Sequence, residues 1–119
     1  MSQPRGDARQ DGDAVARQVS AYNHRDLDAF LECYTPDAVV ENAQGDVVME
    51  GHAAIRAAYG ELFADSPALH VEIATRIRVG EYVIDEEVVT GRRGSPEAIR
   101  VAAIYHVRDG AIDHVRLIR

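Results

Sequence analysis

The chain has 119 residues, of which 46% are hydrophobic, and this size and composition suit one compact domain. Its 13 basic and 20 acidic residues give a formal net charge of −7, without a basic stripe that would predict nucleic acid as a partner. The single cysteine, Cys33, cannot form an internal disulfide, so we expect a reducing, cytoplasmic setting. No apolar run approaches the roughly 18 residues of a membrane span, and no membrane partner is expected.

The N-terminal region is predicted to contain a tail followed by a helix. Residues 1–12 are polar, contain glycine and proline and lack periodicity, which predicts a flexible tail before a single domain at 13–119. Asp13 is a suitable N-cap for a helix over 14–24. The apolar residues of this helix recur at helical spacing: Val15, Val19 and Tyr22.

Residues 22–42 organise the fold, because two helices meet there and the first strand leaves. Asp26 is a suitable N-cap for a second helix, which Thr35 and Pro36 are expected to end. A strand is predicted at about 38–42. The apolar residues of the second helix also recur at helical spacing: Leu27, Phe30, Leu31 and Tyr34.

A tight turn at Gly45 and a short strand at 47–49 are predicted next, because glycine tolerates the positive φ of such turns. A third helix opens at Gly51 and His52 and ends at 65–67. Its apolar face holds four residues: Ile55, Tyr59, Leu62 and Phe63.

From residue 68 the hydrophobic pattern changes to period two, which indicates strands. The turns between them contain Gly80, Gly94 and Gly110, and connections this short force antiparallel neighbours. We therefore predict an α+β domain with three N-terminal helices on one face of a mostly antiparallel sheet. The four predicted strands span residues 69–79, 81–91, 98–108 and 111–118.

Several of these strands are apolar on both faces. Val83 and Val89 lie on one face of their strand, whereas Val88 lies on the other. One apolar face should meet the helices, and the second requires another cover. We expect a homodimer through the outer face of the sheet, and the alternative is a strongly curled sheet that closes on itself.

Four local phrases carry a resemblance to a known superfamily. They are YNHRDLDAF at 22–30, YTPDAVVE at 34–41, GHAAIRAAY at 51–59 and YHVRDGAI at 105–112. With the order of elements over residues 13–118, they resemble the nuclear-transport-factor-2-like superfamily, especially its SnoaL-like polyketide cyclase and ketosteroid-isomerase-like branches. The resemblance implies a cone-shaped, strongly curved sheet around the helices, an apolar pocket at its wide end, and dimers.

The same resemblance argues against the best-known activity of the superfamily. Ketosteroid isomerases use a tyrosine and an acidic residue as an oxyanion hole and an aspartate to move the proton, and the matching positions here are Gln18, Ala103 and Asn42. These residues lack the required base and acid, so that route is not expected. Two supporting tyrosines do have counterparts, Tyr34 and Tyr59, which either bind a ligand or are core residues with satisfied hydroxyls.

His70 resembles a catalytic histidine that dehydratase and dehydrochlorinase members carry on the pocket side. A neutral imidazole there could act as a general base near neutral pH. The alternative is a surface histidine at the start of a strand.

Glu86 lies among apolar residues of the second long strand. Alternation places Glu86 on one face and Asp85 and Glu87 on the other, and the resemblance favours Glu86 as the inward residue. A carboxylate in an apolar pocket would have a raised pKa and could act as a general acid or base. The alternative is a cross-strand ion pair with Arg76, Arg78 or Arg100.

Together these interpretations favour a cofactor-independent acid–base enzyme acting on a small hydrophobic molecule, of an isomerase, cyclase, dehydratase or hydrolase type. His70 and Glu86 are its candidate catalytic groups. The scattered histidines show no metal-ligand spacing, so no metal is expected. The alternative function is a non-catalytic module for ligand binding or assembly with the same fold. The candidate ligand-binding residues are Tyr34, Asn42, Tyr59 and Tyr105.

Overall fold

The computed structural model describes the backbone of residues 3–119 and the side chains of residues 14–119. Three helices pack against one six-stranded sheet, which confirms the predicted α+β class. The helices are α1 (Gln3–His24), α2 (Leu27–Glu32) and α3 (Gly51–Asp65). The strands are β1 (Tyr34–Glu41), β2 (Val47–Glu50), β3 (His70–Val79), β4 (Tyr82–Thr90), β5 (Ile99–Arg108) and β6 (Ala111–Ile118).

The strands lie in the order β2-β1-β6-β5-β4-β3. Only the contact between β1 and β6 is parallel, and the other neighbours are antiparallel. In β4 and β5 every second residue is buried against the helices, whereas the residues between them are partly exposed. The inner face of the sheet and the helices therefore enclose the core. No helix within residues 3–119 combines the length and apolar character needed to cross a bilayer.

Helix α1 starts earlier than predicted. It begins at Gln3 instead of residue 14, so Asp13 lies inside the helix and does not cap it. Once residues 14–24 form a helix, each further residue adds a backbone hydrogen bond, and Ala8 and Arg9 are good helix formers. The mobility expected for residues 1–12 remains a prediction.

At the junction between α2 and β1, the sequence predicted the start of the helix correctly but not its end. Asp26 caps α2 as predicted, accepting a hydrogen bond of 3.1 Å from the Ala29 backbone N–H. Tyr34, however, begins β1 instead of ending α2. Pro36 favours extended backbone before it, and the register of β1 against β6 is irregular between Tyr34 and Val39. The Tyr34 side chain is buried in the core.

Candidate functional site

A cavity of about 220 Å³ lies between the helices and the inner face of the sheet. This volume exceeds the roughly 150 Å³ of a protein cavity that holds benzene. Much of the wall is aliphatic, and two polar side chains of the core, Gln18 and Glu87, also reach it. Its aromatic lining consists of Tyr22, Phe30, Tyr34, Tyr59 and Tyr105.

Glu87 is the carboxylate of the cavity wall. It projects inward from β4, where it pairs with Val101 of β5, and it is only 8% exposed. Burial raises the pKa of the Glu87 carboxyl to about 7, a hydrogen bond from Tyr105 opposes this rise, and the negative charge of Asp85 adds to it. Near neutral pH the group can therefore both accept and donate a proton.

A chain of three hydrogen bonds connects Glu87 to Gln18 of α1 and Tyr34 of β1. The Tyr105 hydroxyl donates to Oε2 of Glu87 at 3.0 Å and accepts from Nε2 of Gln18, also at 3.0 Å. Oε1 of Gln18 accepts from the Tyr34 hydroxyl at 3.3 Å. Burial raises the pKa of Tyr34 and Tyr105 well above the usual value, so both phenols stay protonated. Tyr105 holds Glu87 directly, and Tyr34 holds Gln18.

Asp85 also points inward, but a neighbouring arginine neutralises it. Nε and Nη2 of Arg76 donate to its two carboxylate oxygens at 2.7 and 2.8 Å. Asp85 is fully buried, and it is not among the residues that line the cavity. Its charge is therefore compensated by a bidentate partner, which leaves Glu87 as the carboxylate available to a ligand.

The cavity wall contains three of the four predicted ligand-binding residues, Tyr34, Tyr59 and Tyr105. Asn42 is not among its lining residues, contrary to expectation. Its side-chain oxygen accepts hydrogen bonds from the backbone N–H groups of Gln44 and Asp46 at 3.0 and 2.9 Å. Asparagine stabilises such turns by mimicking the backbone, and the β1–β2 turn holds this side chain.

The predicted inward position of Glu86 is wrong by one residue. Glu86 lies on the outer face, where it accepts hydrogen bonds from Nε of Arg100 at 2.8 Å and from the Thr75 hydroxyl at 3.0 Å. These hydrogen bonds, that of Arg100 first, lower the pKa of the Glu86 carboxyl. The cross-strand ion pair considered as the alternative is the arrangement observed.

His70 is likewise outside the cavity. It is the exposed first residue of β3, whereas the next residue, Val71, is buried and lines the cavity. Alternation along a strand sends neighbouring side chains to opposite faces. The pocket-facing position expected for the histidine is thus occupied by an aliphatic residue.

Glu87 and Gln18 were not among the predicted site residues. A usable signal was the hairpin between β4 and β5, which is centred on Gly94 and pairs Val83 with Tyr105. Because Tyr105 was expected to line the pocket, this register also turns Glu87 inward. Gln18 lies one helical turn after Val15, on the face of α1 that packs into the core.

No group of three or more histidine, cysteine or acidic side chains with the geometry of a metal site occurs in the part of the chain that the structure describes. The polar groups of the cavity suit proton transfer and hydrogen bonding to an organic ligand.

The comparisons with known proteins identify the family. The model of the SnoaL-like domain matches residues 15–115. The chain belongs to the SnoaL-like domain family. A search of curated proteins found no match.

Solved structures share the fold of this SnoaL-like chain. An uncharacterised protein of Novosphingobium aromaticivorans, described as having a cystatin fold, is 34% identical with a TM-score of 0.83, over 92% of this chain and 97% of the other. An NTF2-like protein of unknown function from Cytophaga hutchinsonii is 15% identical with a TM-score of 0.75, over 90% and 87%. A hypothetical protein with a ketosteroid isomerase-like fold from Catenulispora acidiphila, in complex with trimethylamine, is 23% identical with a TM-score of 0.74, over 87% and 82%. The predicted resemblance and fold are thereby confirmed.

Proposed function

We propose that this SnoaL-like protein is an acid–base enzyme that moves a proton on a small, largely apolar carbonyl compound, as an isomerase or cyclase does. The observation that carries the proposal is Glu87, a buried carboxylate in an aromatic cavity, held by Tyr105 with a pKa raised to about 7. A base with this pKa is half ionised at neutral pH, which suits general acid–base catalysis.

In this mechanism Glu87 removes a proton from the carbon next to the carbonyl group. The electron pair of the broken C–H bond moves into the new C=C bond, and the carbonyl oxygen becomes an enolate oxygen. Where the substrate has a C=C bond β,γ to the carbonyl, the enolate is a dienolate, and protonated Glu87 returns the proton to its γ carbon. The C=O bond re-forms and the C=C bond moves to the α,β position, which completes an isomerisation. Alternatively, the enolate carbon attacks a second carbonyl group of the same molecule and closes a ring. The π bond of that carbonyl breaks to an alkoxide, which takes the proton from protonated Glu87.

Tyr59 is the proposed donor to the developing oxyanion. Its hydroxyl has no hydrogen-bond partner among the described residues. Its ring packs against that of Phe30, with 4.6 Å between the two ring centroids. Burial raises the pKa of the Tyr59 phenol to about 12, so it remains a protonated donor at neutral pH. A hydrogen bond that strengthens as charge develops stabilises the transition state more than the ground state.

Deuterium incorporation tests this function even while the final product is unidentified. A panel of enolisable cyclic ketones and β-diketones is incubated with the protein in D₂O, and loss of α-proton signals is followed by NMR. We expect exchange above the buffer rate for at least one compound, a reduction of at least a hundredfold in Glu87→Gln, and little change in Glu86→Gln. No exchange across the panel, or equal exchange in both variants, contradicts the proposal and favours a ligand-binding module.

We also propose that the protein forms a homodimer through the outer face of the sheet. Ile77, Ile84 and Ile104 are register partners across β3, β4 and β5 and form an apolar row on that face. Ile77 is 50% exposed, and nearby Val79 and Tyr82 are 61% and 48% exposed. A contiguous apolar surface of this kind is usually covered by a partner.

A further inference from the structure

The wall of the cavity carries positive charge. Three arginines line the cavity, although the chain as a whole has a net charge of −7. Arg93 is already neutralised, because Nη1 contacts Asp65 at 2.6 Å and Nη2 contacts Glu61 at 3.5 Å. Arg92 and Arg119 form no salt bridge within the described residues.

The backbone around Arg92 is fixed in place. Gly91 has a φ of +73°, and a Cβ at this position would overlap the carbonyl oxygen of Ala68. The backbone N–H of Arg93 donates to the hydroxyl of fully buried Ser66 at 2.8 Å. The turn after β4 is thus clamped to the segment between α3 and β3, and the start of the Arg92 side chain is preorganised.

The positive charges of Arg92 and Arg119 act on Tyr59 of the cavity wall. Burial raises the pKa of the Tyr59 phenol, the negative charge of Glu87 adds to this rise, and the positive charges of Arg119 and Arg92 oppose it. Glu87 lies in β4, and Arg92 lies in the turn that follows this strand. The carboxylate of Glu87 and the guanidinium of Arg92 line the same cavity.

We propose that the ligand is a compact aromatic or alicyclic molecule that carries a carboxylate, and that Arg92 binds this carboxylate while the apolar ring packs against the aromatic and aliphatic wall of the cavity. The inference rests on the proposed function in that it assigns a substrate class to the same cavity. An arginine can bind a carboxylate through two parallel hydrogen bonds, and the partly apolar surroundings strengthen them. The apolar wall and the 220 Å³ volume fit one or two fused rings.

Calorimetric binding of matched acid and amide probes tests the ligand class. The probes are benzoate with benzamide and 2-naphthoate with 2-naphthamide, at pH 8 and low salt. We expect at least one acid to bind at least tenfold more tightly than its amide. In Arg92→Gln the affinity for that acid should fall about tenfold and that for the amide less than twofold, and Arg92→Lys should be intermediate.

The control variant is Arg78→Gln, which removes an exposed arginine of β3 that does not line the cavity. It should bind the acid as the wild type does. Equal affinity for acid and amide, absence of binding by both acids, or equal losses in Arg92→Gln and Arg78→Gln overturns the proposal.

The two proposals fail separately. Deuterium exchange that depends on Glu87, without a preference for the acids, would overturn the ligand class and leave the proposed function standing. Preferential binding of an acid that Arg92→Gln abolishes, without any exchange across the ketone panel, would support the ligand class and overturn the enzymatic function. Folding of each variant is verified by its thermal transition before binding is measured.

Discussion

The hydroxyl of Tyr105 donates a hydrogen bond of 3.0 Å to Oε2 of Glu87, and both side chains are buried. This contact joins β4 to β5 inside the cavity and holds the carboxylate through a phenol that is itself fixed by Gln18. The hydrogen bond favours the ionised carboxylate, whereas burial favours the protonated one. The balance between these two effects brings the pKa of Glu87 to about 7.

Replacing Tyr105 by Phe should raise the pKa of Glu87 above about 7. The variant removes the donor that stabilises the ionised form and keeps the ring, and a hydrogen bond to a charged group corresponds to roughly one pKa unit or slightly more. The measurement is an NMR titration of the ¹³C-labelled glutamate carboxyls. Tyr82→Phe, on the outer face, is the matched control and should leave the titration unchanged. A pKa of Glu87 that falls or stays constant in Tyr105→Phe would contradict this account.

Stability should depend on pH through Glu87 with a defined sign. Its pKa is about 7 in the folded state and 4.5 as the unperturbed value, so between these values the folded state holds more protons than the unfolded state. The free energy of unfolding therefore contains a contribution from Glu87 that falls by about 3 kcal/mol as pH rises from 4.5 to 7. Urea unfolding at several pH values should show this dependence in the wild type and its loss in Glu87→Gln.

Glu86→Gln serves as the control for this dependence. The pKa of Glu86 is lowered in the folded state, so its contribution to stability is present above the unfolded pKa and is lost as pH falls. The difference between wild type and Glu86→Gln should thus shrink toward acid pH, opposite in sign to the effect of Glu87. Parallel profiles for wild type and Glu87→Gln would show that the pKa of Glu87 is not raised by folding.

Gly91→Ala should destabilise the protein far more than Gly94→Ala. Both glycines have positive φ, +73° and +77°, so both variants incur the backbone penalty of about 1 kcal/mol. Only at Gly91 would the added Cβ overlap the Ala68 carbonyl, whereas nothing lies within 4 Å of a Cβ at Gly94. We expect an additional loss of about 1–3 kcal/mol for Gly91→Ala, measured by urea unfolding. Similar values for the two variants would mean that the turn is not clamped.

The homodimer predicts a change in mass on substitution of Ile84. Light scattering at micromolar concentration should give twice the mass of the 13.1 kDa chain for the wild type. Ile84→Arg places a charge in the middle of the apolar row and should give a monomer, because an unpaired charge is costly to bury in an interface. Val48→Arg, at an exposed position of β2, should remain dimeric. A monomeric wild type would refute the proposed interface.

The sequence was sufficient wherever a local pattern has one structural solution. The cap at Asp26 follows from a side chain that accepts a backbone N–H. The antiparallel hairpins follow from connections too short for any other pairing, as at Gly110 between β5 and β6. The resemblance carried by these elements led to the correct family, and with it to the expectation of an enclosed pocket. The expected cytoplasmic setting remains a prediction.

The chemistry of the pocket depended on a one-residue choice that only the tertiary structure made. Strand β4 is apolar on both faces, so alternation separates Glu86 from Glu87 without saying which of them points inward. The pairing of β4 with β5 and the packing of the helices on one face bury Glu87 and leave Glu86 to Arg100. The sequence by itself therefore determined the number and order of the helices, the hairpins and the family, although not where α1 begins or where α2 ends. Only tertiary structure decided which carboxylate lies in the cavity, because that choice depends on long-range pairing and burial.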